Sequence, residues 1–201
     1  MNTSQPDDIA PAAEPRHVSV RLPLQKPRVV YVFLVLIGLM FVAELALGGS
    51  QNQETLRRLG AQINPLVAVG ELWRLVAAMF LHIGLQHILF NGWALFSVGR
   101  EVEAMYGSVW FTVIYLLAGL AGNIAYYWLG DSVLSAGASG AVFGLIGAEA
   151  AFFLRNRELF GKLGSQRLGN LGVLIAINLV FGFTVPGINN IAHLGGLIMG
   201  F

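Results

Sequence analysis

The chain has no cysteine among its 201 residues. This absence excludes disulfides, thiol nucleophiles and thiolate metal sites, although it says nothing about the cellular compartment. Charged residues are also scarce, at 11% of the chain, against about 25% in ordinary soluble domains. The formal net charge is only +1, so the chain lacks the basic excess that binding to nucleic acid requires. We therefore expect no nucleic-acid partner.

Apolar residues, by contrast, make up 56% of the chain. They are concentrated in six segments, at about 29–47, 86–99, 109–129, 140–154, 169–184 and 190–201. The first and third segments are long enough to span the ~30 Å hydrocarbon core of a bilayer, which takes about 20 residues. The sequence therefore predicts an all-α, polytopic bundle of six transmembrane segments with the lipid bilayer as its surroundings.

The residues before the first apolar segment are of a different kind. Residues 1–28 hold five of the seven prolines among polar residues, which predicts a disordered tail followed by a membrane domain over 29–201. The apolar stretch at 29–47 has 19 residues, which exceeds the usual ~7–15 of a signal-peptide core. This length favours a retained anchor over a cleaved signal peptide.

The distribution of basic residues predicts the orientation. If the N-terminus is cytoplasmic, three basic residues face the other side, namely Arg57, Arg58 and Arg74. Nine then lie on the cytoplasmic side, namely Arg16, Arg21, Lys26, Arg28, Arg100, Arg155, Arg157, Lys162 and Arg167. Because loops rich in Lys and Arg stay in the cytoplasm, we expect a multi-pass protein of the cell (inner) membrane with its N-terminus inside.

A small-residue turn, Gly137-Ala138-Ser139-Gly140, opens the fourth apolar segment. Ser139 at a helix N-terminus is either a helix cap or a nucleophile, and the residue alone does not decide between them. Two other polar islands lie in membrane-type sequence, one around His193 and one containing His87 and Asn91. A serine, a histidine and an amide are the components of an acyl-transfer site.

Glycines predict how these islands come together. Gly140, Gly144 and Gly147 form a smooth face below Ser139, and Gly196 and Gly200 form a G-x-x-x-G pair below His193. Small residues of this kind allow close packing of membrane helices. We expect the two faces to pack and to bring Ser139 and His193 together, with Ser139 several Å below the outer membrane surface.

These residues resemble the rhomboid family of intramembrane serine proteases over about 28–201. The resemblance is carried by several motifs that occur in this order along the chain: Trp73-Arg74, His87-x-x-x-Asn91, Gly99-x-x-x-Glu103-x-x-x-Gly107, Gly137-Ala138-Ser139-Gly140 and Ala192-His193-x-x-Gly196-x-x-x-Gly200. It implies that Ser139 is the nucleophile and His193 the general base of a dyad. It also implies an oxyanion hole formed by His87, Asn91 and the Ser139 backbone N–H, transmembrane proteins as substrates, and no cofactor.

One departure and several alternatives accompany the resemblance. Many members have Tyr one helical turn below the serine, where this chain has Phe143, so we expect an altered orientation of His193 but retained activity.

The alternatives are a catalytically inactive protein that binds transmembrane helices, a transporter with a histidine proton relay, and a metal site of His82, His87 and His193. The oligomeric state is left open.

Some charged residues within or beside the apolar segments have simpler interpretations. We expect Glu44 to reach the membrane interface by snorkelling, and Trp73-Arg74 to anchor short helices of the 48–85 loop in the headgroup layer. Glu149 is interpreted as a snorkelling or paired carboxylate.

The last segment, 190–201, rises only ~18 Å as a helix and ends on Phe201, so we expect the chain to be cut within its sixth span.

Overall fold

The computed structural model describes residues 24–130, 134–184 and 188–201. These ranges contain eight α-helices: α1 (Val29–Ala46), α2 (Gln53–Leu59), α3 (Asn64–Ala68), α4 (Arg74–Ala77), α5 (Leu85–Leu129), α6 (Ser139–Arg155), α7 (Arg157–Thr184) and α8 (Asn190–Gly200). A 3₁₀ turn at Ala78–Phe80 follows α4. The extended backbone in the described ranges amounts to one isolated bridge between Gln62 and Ser135. The all-helical prediction is thus confirmed, whereas residues 1–23 of the predicted tail lie outside the described residues.

Three of these helices are long and apolar enough to cross a membrane, namely α1, α5 and α7. Helix α5 has 45 residues but is broken at Gly107, whose φ of +80° is left-handed, so its two rods correspond to the predicted second and third segments. With 17 and 11 residues, α6 and α8 are shorter than a usual span. Many large apolar side chains face outward, such as Val109 and Phe183, which suits a helical protein embedded in lipid.

Glu103, near the break in α5, holds the beginning of α1. The first residues of α1 have no capping side chain of their own. Instead, the Glu103 carboxylate accepts the backbone N–H groups of Arg28, Val29 and Val30 at 2.8–2.9 Å. A carboxylate is favourable here because helix N-termini carry unpaired donors and positive partial charge. The Gly99–Gly107 motif therefore ties α1 to α5.

Helix α6 forms the centre of the bundle. Its residues Gly140 to Glu149 are all buried, and α5, α7 and α8 surround it. A Cβ atom added at Gly196 would overlap the carbonyl oxygen of Gly140, and one at Gly200 would overlap that of Gly144. The predicted packing of the two glycine faces is confirmed, with backbone lying against backbone.

The loop between α1 and α5 does contain the predicted short helices, but Arg74 is not an interfacial anchor. Its side chain is buried, donates hydrogen bonds to the carbonyls of Arg57 (2.7 Å) and Ala61 (3.0 Å), and pairs with Glu71. A guanidinium has five donors, and here they join α2 to α4. Only Trp73, half of whose surface is exposed, keeps the position expected of an anchor.

The two carboxylates within apolar segments also have definite positions. Glu44 is fully buried and accepts the backbone N–H of His82 at 2.8 Å, so the snorkelling interpretation is wrong. Glu149 is paired, as one of the two alternatives predicted: its partner is Arg167 of α7, which also bridges to Glu101 of α5. Three helices meet at this charged cluster.

Candidate active site

Ser139 is the first residue of α6 and is partly exposed. The N-cap position is taken by Ala138, and no side chain caps the helix, so the interpretation of Ser139 as a cap is wrong. Gly137 precedes it with a φ of +145°, a conformation that favours glycine. A Cβ atom at Gly137 would lie 2.9 Å from His87 Nε2 and 3.7 Å from Ser139 Oγ. The turn thus brings the serine and this imidazole close together.

The hydrogen bond that His87 accepts indicates which ring nitrogen carries the proton. Its Nδ1 atom accepts the backbone N–H of Ile83 at 3.3 Å. Because a neutral imidazole carries one proton, the acceptor role of Nδ1 places that proton on Nε2. The Nε2 atom is the one beside Gly137, so His87 presents an N–H donor to the turn that carries Ser139.

Asn91 lies one turn further along the same face of α5, as predicted. It is buried, and its Nδ2 donates to the carbonyl of His87 at 3.0 Å. An amide nitrogen has two N–H groups, and this is the one hydrogen bond that the Asn91 amide makes within the described residues. The second N–H is therefore available to a bound group.

His193 lies in the first turn of α8, flat against Phe143. The two rings are stacked with their centroids 4.3 Å apart and 6° between their planes. Phe143 follows Ser139 by one helical turn, so the stack holds His193 over the beginning of α6. His193 is buried, and its Nδ1 makes no hydrogen bond within the described part of the chain. No carboxylate there orients it, which suits a pair of residues rather than a triad.

The beginning of α8 is held in place by its own cap and by glycines. Asn189 Oδ1 accepts the backbone N–H of Ala192 at 3.0 Å, and Asn189 Nδ2 donates to Ser135 Oγ at 3.3 Å. The carbonyl oxygen of Ala192 lies 2.5 Å from where a Cβ atom of Gly122 would be and 3.3 Å from that of Gly140. Side chains at these glycines would push His193 away from Ser139.

All four predicted site residues therefore lie within two turns of a helix N-terminus, in α5, α6 and α8. Helix N-termini carry positive partial charge and unpaired N–H groups, and they favour negative charge on a bound group. The site combines a serine hydroxyl, a neighbouring imidazole, and N–H donors from His87 and Asn91. This is a chemistry suited to acyl transfer.

Sequence reasoning gave His82 no definite role and did not connect it with Glu44. The His82 ring is fully buried and meets the His87 ring edge-on, with centroids 5.3 Å apart. Burial lowers the pKa of His82 to about 3, so its imidazole is neutral at physiological pH.

The described residues contain no cluster of three or more His, Asp or Glu side chains arranged to hold a metal ion.

The fold and the site together define the class of protein, a multi-pass helical membrane protein with a serine and a histidine at adjoining helix ends. Residues 69–201 match the family profile described as the Rhomboid domain. The chain belongs to the rhomboid family.

Individual relatives agree with this assignment. The chain is 49% identical to rhomboid protease GluP of Bacillus subtilis over 177 residues, which cover 88% of this chain and 34% of that protein. It is 38% identical over 136 residues to the putative rhomboid protease YdcA of the same organism, covering 67% of each. It is 36% identical to the mitochondrial RHOMBOID-like protein 6 of Arabidopsis thaliana over 151 residues, covering 75% of this chain and 48% of that protein. The chain thus spans a third to a half of the length of several curated relatives.

Proposed function

We propose that this chain is an intramembrane serine protease that hydrolyses peptide bonds in or near transmembrane segments, with Ser139 and His193 as a catalytic dyad. The observation that carries the proposal is the stacking of His193 on Phe143, with ring centroids 4.3 Å apart. Since Phe143 lies one turn below Ser139, this contact keeps the His193 ring near the beginning of α6, which supports a pairing of the imidazole with the Ser139 hydroxyl. The names of the relatives GluP and YdcA as rhomboid proteases support the same function.

In the first half of the reaction, Ser139 Oγ attacks the carbonyl carbon of the scissile peptide. Its proton passes to His193 Nε2, since a serine hydroxyl needs a neighbouring base to become nucleophilic. The carbonyl oxygen becomes an oxyanion, which accepts hydrogen bonds from His87 Nε2–H, the Asn91 amide and the Ser139 backbone N–H. The tetrahedral intermediate then collapses: His193 gives its proton to the leaving amine, the C–N bond breaks, and an acyl-enzyme remains.

Water completes the cycle. His193 takes a proton from a water molecule, whose oxygen attacks the acyl carbon, and the same donors hold the second oxyanion. When this intermediate collapses, the proton returns to Ser139 Oγ and the carboxylate product leaves. Each oxyanion donor is typically worth about 2.7–4 kcal/mol in such reactions, so the three donors account for a large part of the rate enhancement.

The membrane arrangement belongs to the same proposal. The two rods of α5, with α1, α6, α7 and α8, provide six segments, and the distribution of basic residues supports a cytoplasmic N-terminus and a location in the cell (inner) membrane. Ser139 then faces the outer side, at a depth reached by transmembrane substrates. A peptide bond in a regular helix is shielded by its own hydrogen bonds, so we expect substrates with small or helix-breaking residues near the cleavage point.

The proposal is tested in proteoliposomes with a single-span model substrate. Ser139→Ala and His193→Ala are each expected to abolish cleavage. Ser139→Ala should also abolish labelling by a fluorophosphonate. Ser165, an exposed serine on α7, provides the matched control, because Ser165→Ala should cleave and label like the wild type. Binding of the substrate without cleavage by the wild-type protein would instead indicate an inactive protein that binds transmembrane helices. Wild-type turnover in either dyad variant would contradict the proposed mechanism.

A further inference from the structure

We propose that Glu44 is a positioning residue for the active site: through the Leu81–Gly84 turn, its carboxylate selects the His87 tautomer that donates from Nε2. The proposal rests on the proposed function, in which His87 is an oxyanion donor. It assigns a role in the reaction to a carboxylate on α1, the helix that contributes no other residue to the site.

The first step is the contact between Glu44 and the turn. Glu44 is fully buried near the end of α1, and its Oε1 accepts the backbone N–H of His82 at 2.8 Å. The two residues are 38 positions apart in the chain, so the bond fixes one segment against another. A buried backbone N–H requires an acceptor, and here the acceptor is a side chain. The conformation of the turn therefore depends on the residue at position 44.

The second step connects the turn to His87. The next backbone N–H in the chain, that of Ile83, donates to His87 Nδ1 at 3.3 Å. Since His82 and Ile83 are consecutive, the orientation that Glu44 imposes on the first amide restricts the orientation of the second. Gly84, with a φ of +83°, then turns the chain into α5. The edge of the His82 ring also packs against His87, with centroids 5.3 Å apart.

The third step is the chemical consequence. A neutral histidine exists as two tautomers, and hydrogen bonding to one nitrogen decides which nitrogen carries the proton. With Ile83 N–H on Nδ1, the proton lies on Nε2, beside Gly137 in the turn that leads to Ser139. In the opposite tautomer, Nε2 would present a lone pair to a developing oxyanion and would repel it. Loss of the Glu44 contact should thus weaken oxyanion stabilisation without removing any group that touches the substrate.

The experiment compares Glu44→Leu, which has no acceptor, with Glu44→Gln, which keeps an oxygen on a side chain of the same length. The chain has only four histidines, so the His87 tautomer can be read from ¹⁵N chemical shifts in histidine-labelled protein. We expect His87 protonated on Nε2 in the wild type and in Glu44→Gln, and a mixture of tautomers in Glu44→Leu. We also expect Glu44→Leu to lose about ten- to a hundredfold in kcat, the scale of a misplaced catalytic group, with KM within about twofold, and Glu44→Gln to restore kcat.

Glu149→Leu is the matched control, because it removes another fully buried carboxylate at the opposite end of the bundle from the site. It should lower thermal stability and leave the tautomer of His87 unchanged. If Glu44→Leu does not fold, Glu44→Asp is tested instead, because it shortens the side chain by one methylene and withdraws the carboxylate. We expect this variant to show a smaller shift towards the other tautomer than Glu44→Leu. A wild-type His87 tautomer and wild-type kcat in the folded Leu or Asp variant would overturn the proposal.

Failure of the proposed function would be recognised separately. If the wild-type protein does not cleave, the ¹⁵N shifts of His87 still report whether Glu44 selects the tautomer. A tautomer that responds to Glu44→Leu in an active protein whose kcat does not change would overturn the catalytic part of the inference, while leaving the dyad intact.

Discussion

The α carbon of Gly196 lies against the backbone carbonyl of Gly140, so closely that a Cβ atom at Gly196 would overlap the oxygen. We predict that Gly196→Ala destabilises the protein by about 1–3 kcal/mol, the usual cost of overpacking a close contact, and that Gly196→Val costs more. Activity should fall as well, because the displaced α8 carries His193. Thermal unfolding in detergent and cleavage of the model substrate measure the two effects.

Gly172 on α7 is the control for this substitution, since outside its chain neighbours and its own helix backbone no atom lies within 4 Å of its Cβ position. Gly172→Ala should be neutral or stabilising by up to about 1 kcal/mol, because alanine has the higher helix propensity. If Gly196→Ala had the melting temperature and activity of the wild type, the close contact between α6 and α8 would not be needed.

The stack between Phe143 and His193 leads to a second prediction. Phe143→Leu keeps an apolar side chain but removes the ring, and aromatic pairs are worth about 0.5–1.5 kcal/mol beyond their buried area. We expect kcat to fall by about two- to tenfold, whereas Phe143→Tyr should retain activity because the ring is kept. The measurement is kcat for the folded fraction of each variant. Equal rates for Leu and Phe would show that the stack does not orient the imidazole.

Asn91 provides a third prediction. Asn91→Ala should lower kcat, since loss of one oxyanion donor typically costs about 10²–10³, but by less than Ser139→Ala. Asn178 makes the same kind of bond, from Nδ2 to a carbonyl four residues earlier, and it lies on α7 away from the site. Asn178→Ala should therefore keep the wild-type rate. If Asn91→Ala lowered only the melting temperature, Asn91 would have a structural role alone.

Arg167 should be important for stability rather than for chemistry. Its guanidinium bridges Glu149 and Glu101, and Arg167→Leu would leave Glu149 buried without a cation. Removing one partner of a buried pair costs about 3–5 kcal/mol, and the partial exposure of Arg167 favours the lower value. The double variant Arg167→Leu/Glu149→Leu should recover most of this loss in detergent unfolding experiments. A double variant as unstable as the single one would contradict the pairing argument.

His82 makes stability depend on pH. Burial lowers its pKa in the folded protein to about 3, from an ordinary value of 6.5. Between these two values the unfolded chain binds the extra proton, so this group makes stability fall as pH decreases below 6.5. His82→Phe removes this titrating group. Between pH 6.5 and 5, the variant should therefore lose about 2 kcal/mol less unfolding free energy than the wild type. Identical pH slopes in the two proteins would contradict the prediction.

Much of the helical framework could be predicted from the sequence. The segment predicted over 29–47 is α1 (Val29–Ala46), and the glycine patterns of α6 and α8 correctly predicted which faces meet. These features depend on local patterns, hydrophobic runs and small residues at helical spacing, which a sequence displays directly. The beginning of α7 could not be predicted: α7 starts at Arg157, and the polar residues before the apolar segment are helical apart from a break at Gly161.

The partners of buried charges could not be predicted. Glu44 and Arg74 were both assigned to the membrane interface, but each is buried and bonded to backbone groups. Glu103 accepts N–H groups more than 70 positions away in the chain. Snorkelling assumes that a helix face meets lipid, and which face does so depends on the tertiary fold. The roles of Ser139, His193, His87 and Asn91 in the reaction remain predictions for the experiments above.

Because α6 is enclosed by other helices, it has no need to match the thickness of the bilayer. Its 17 residues rise about 25 Å, less than the ~30 Å of a hydrocarbon core, and a helix of that length facing lipid would tilt its neighbours or thin the membrane. Here protein surrounds the helix from Gly140 to Glu149. We therefore expect the position of Ser139 to be set by the packing of α6 within the bundle, and α1 and α7, which are long enough to span a bilayer, to adjust to its thickness.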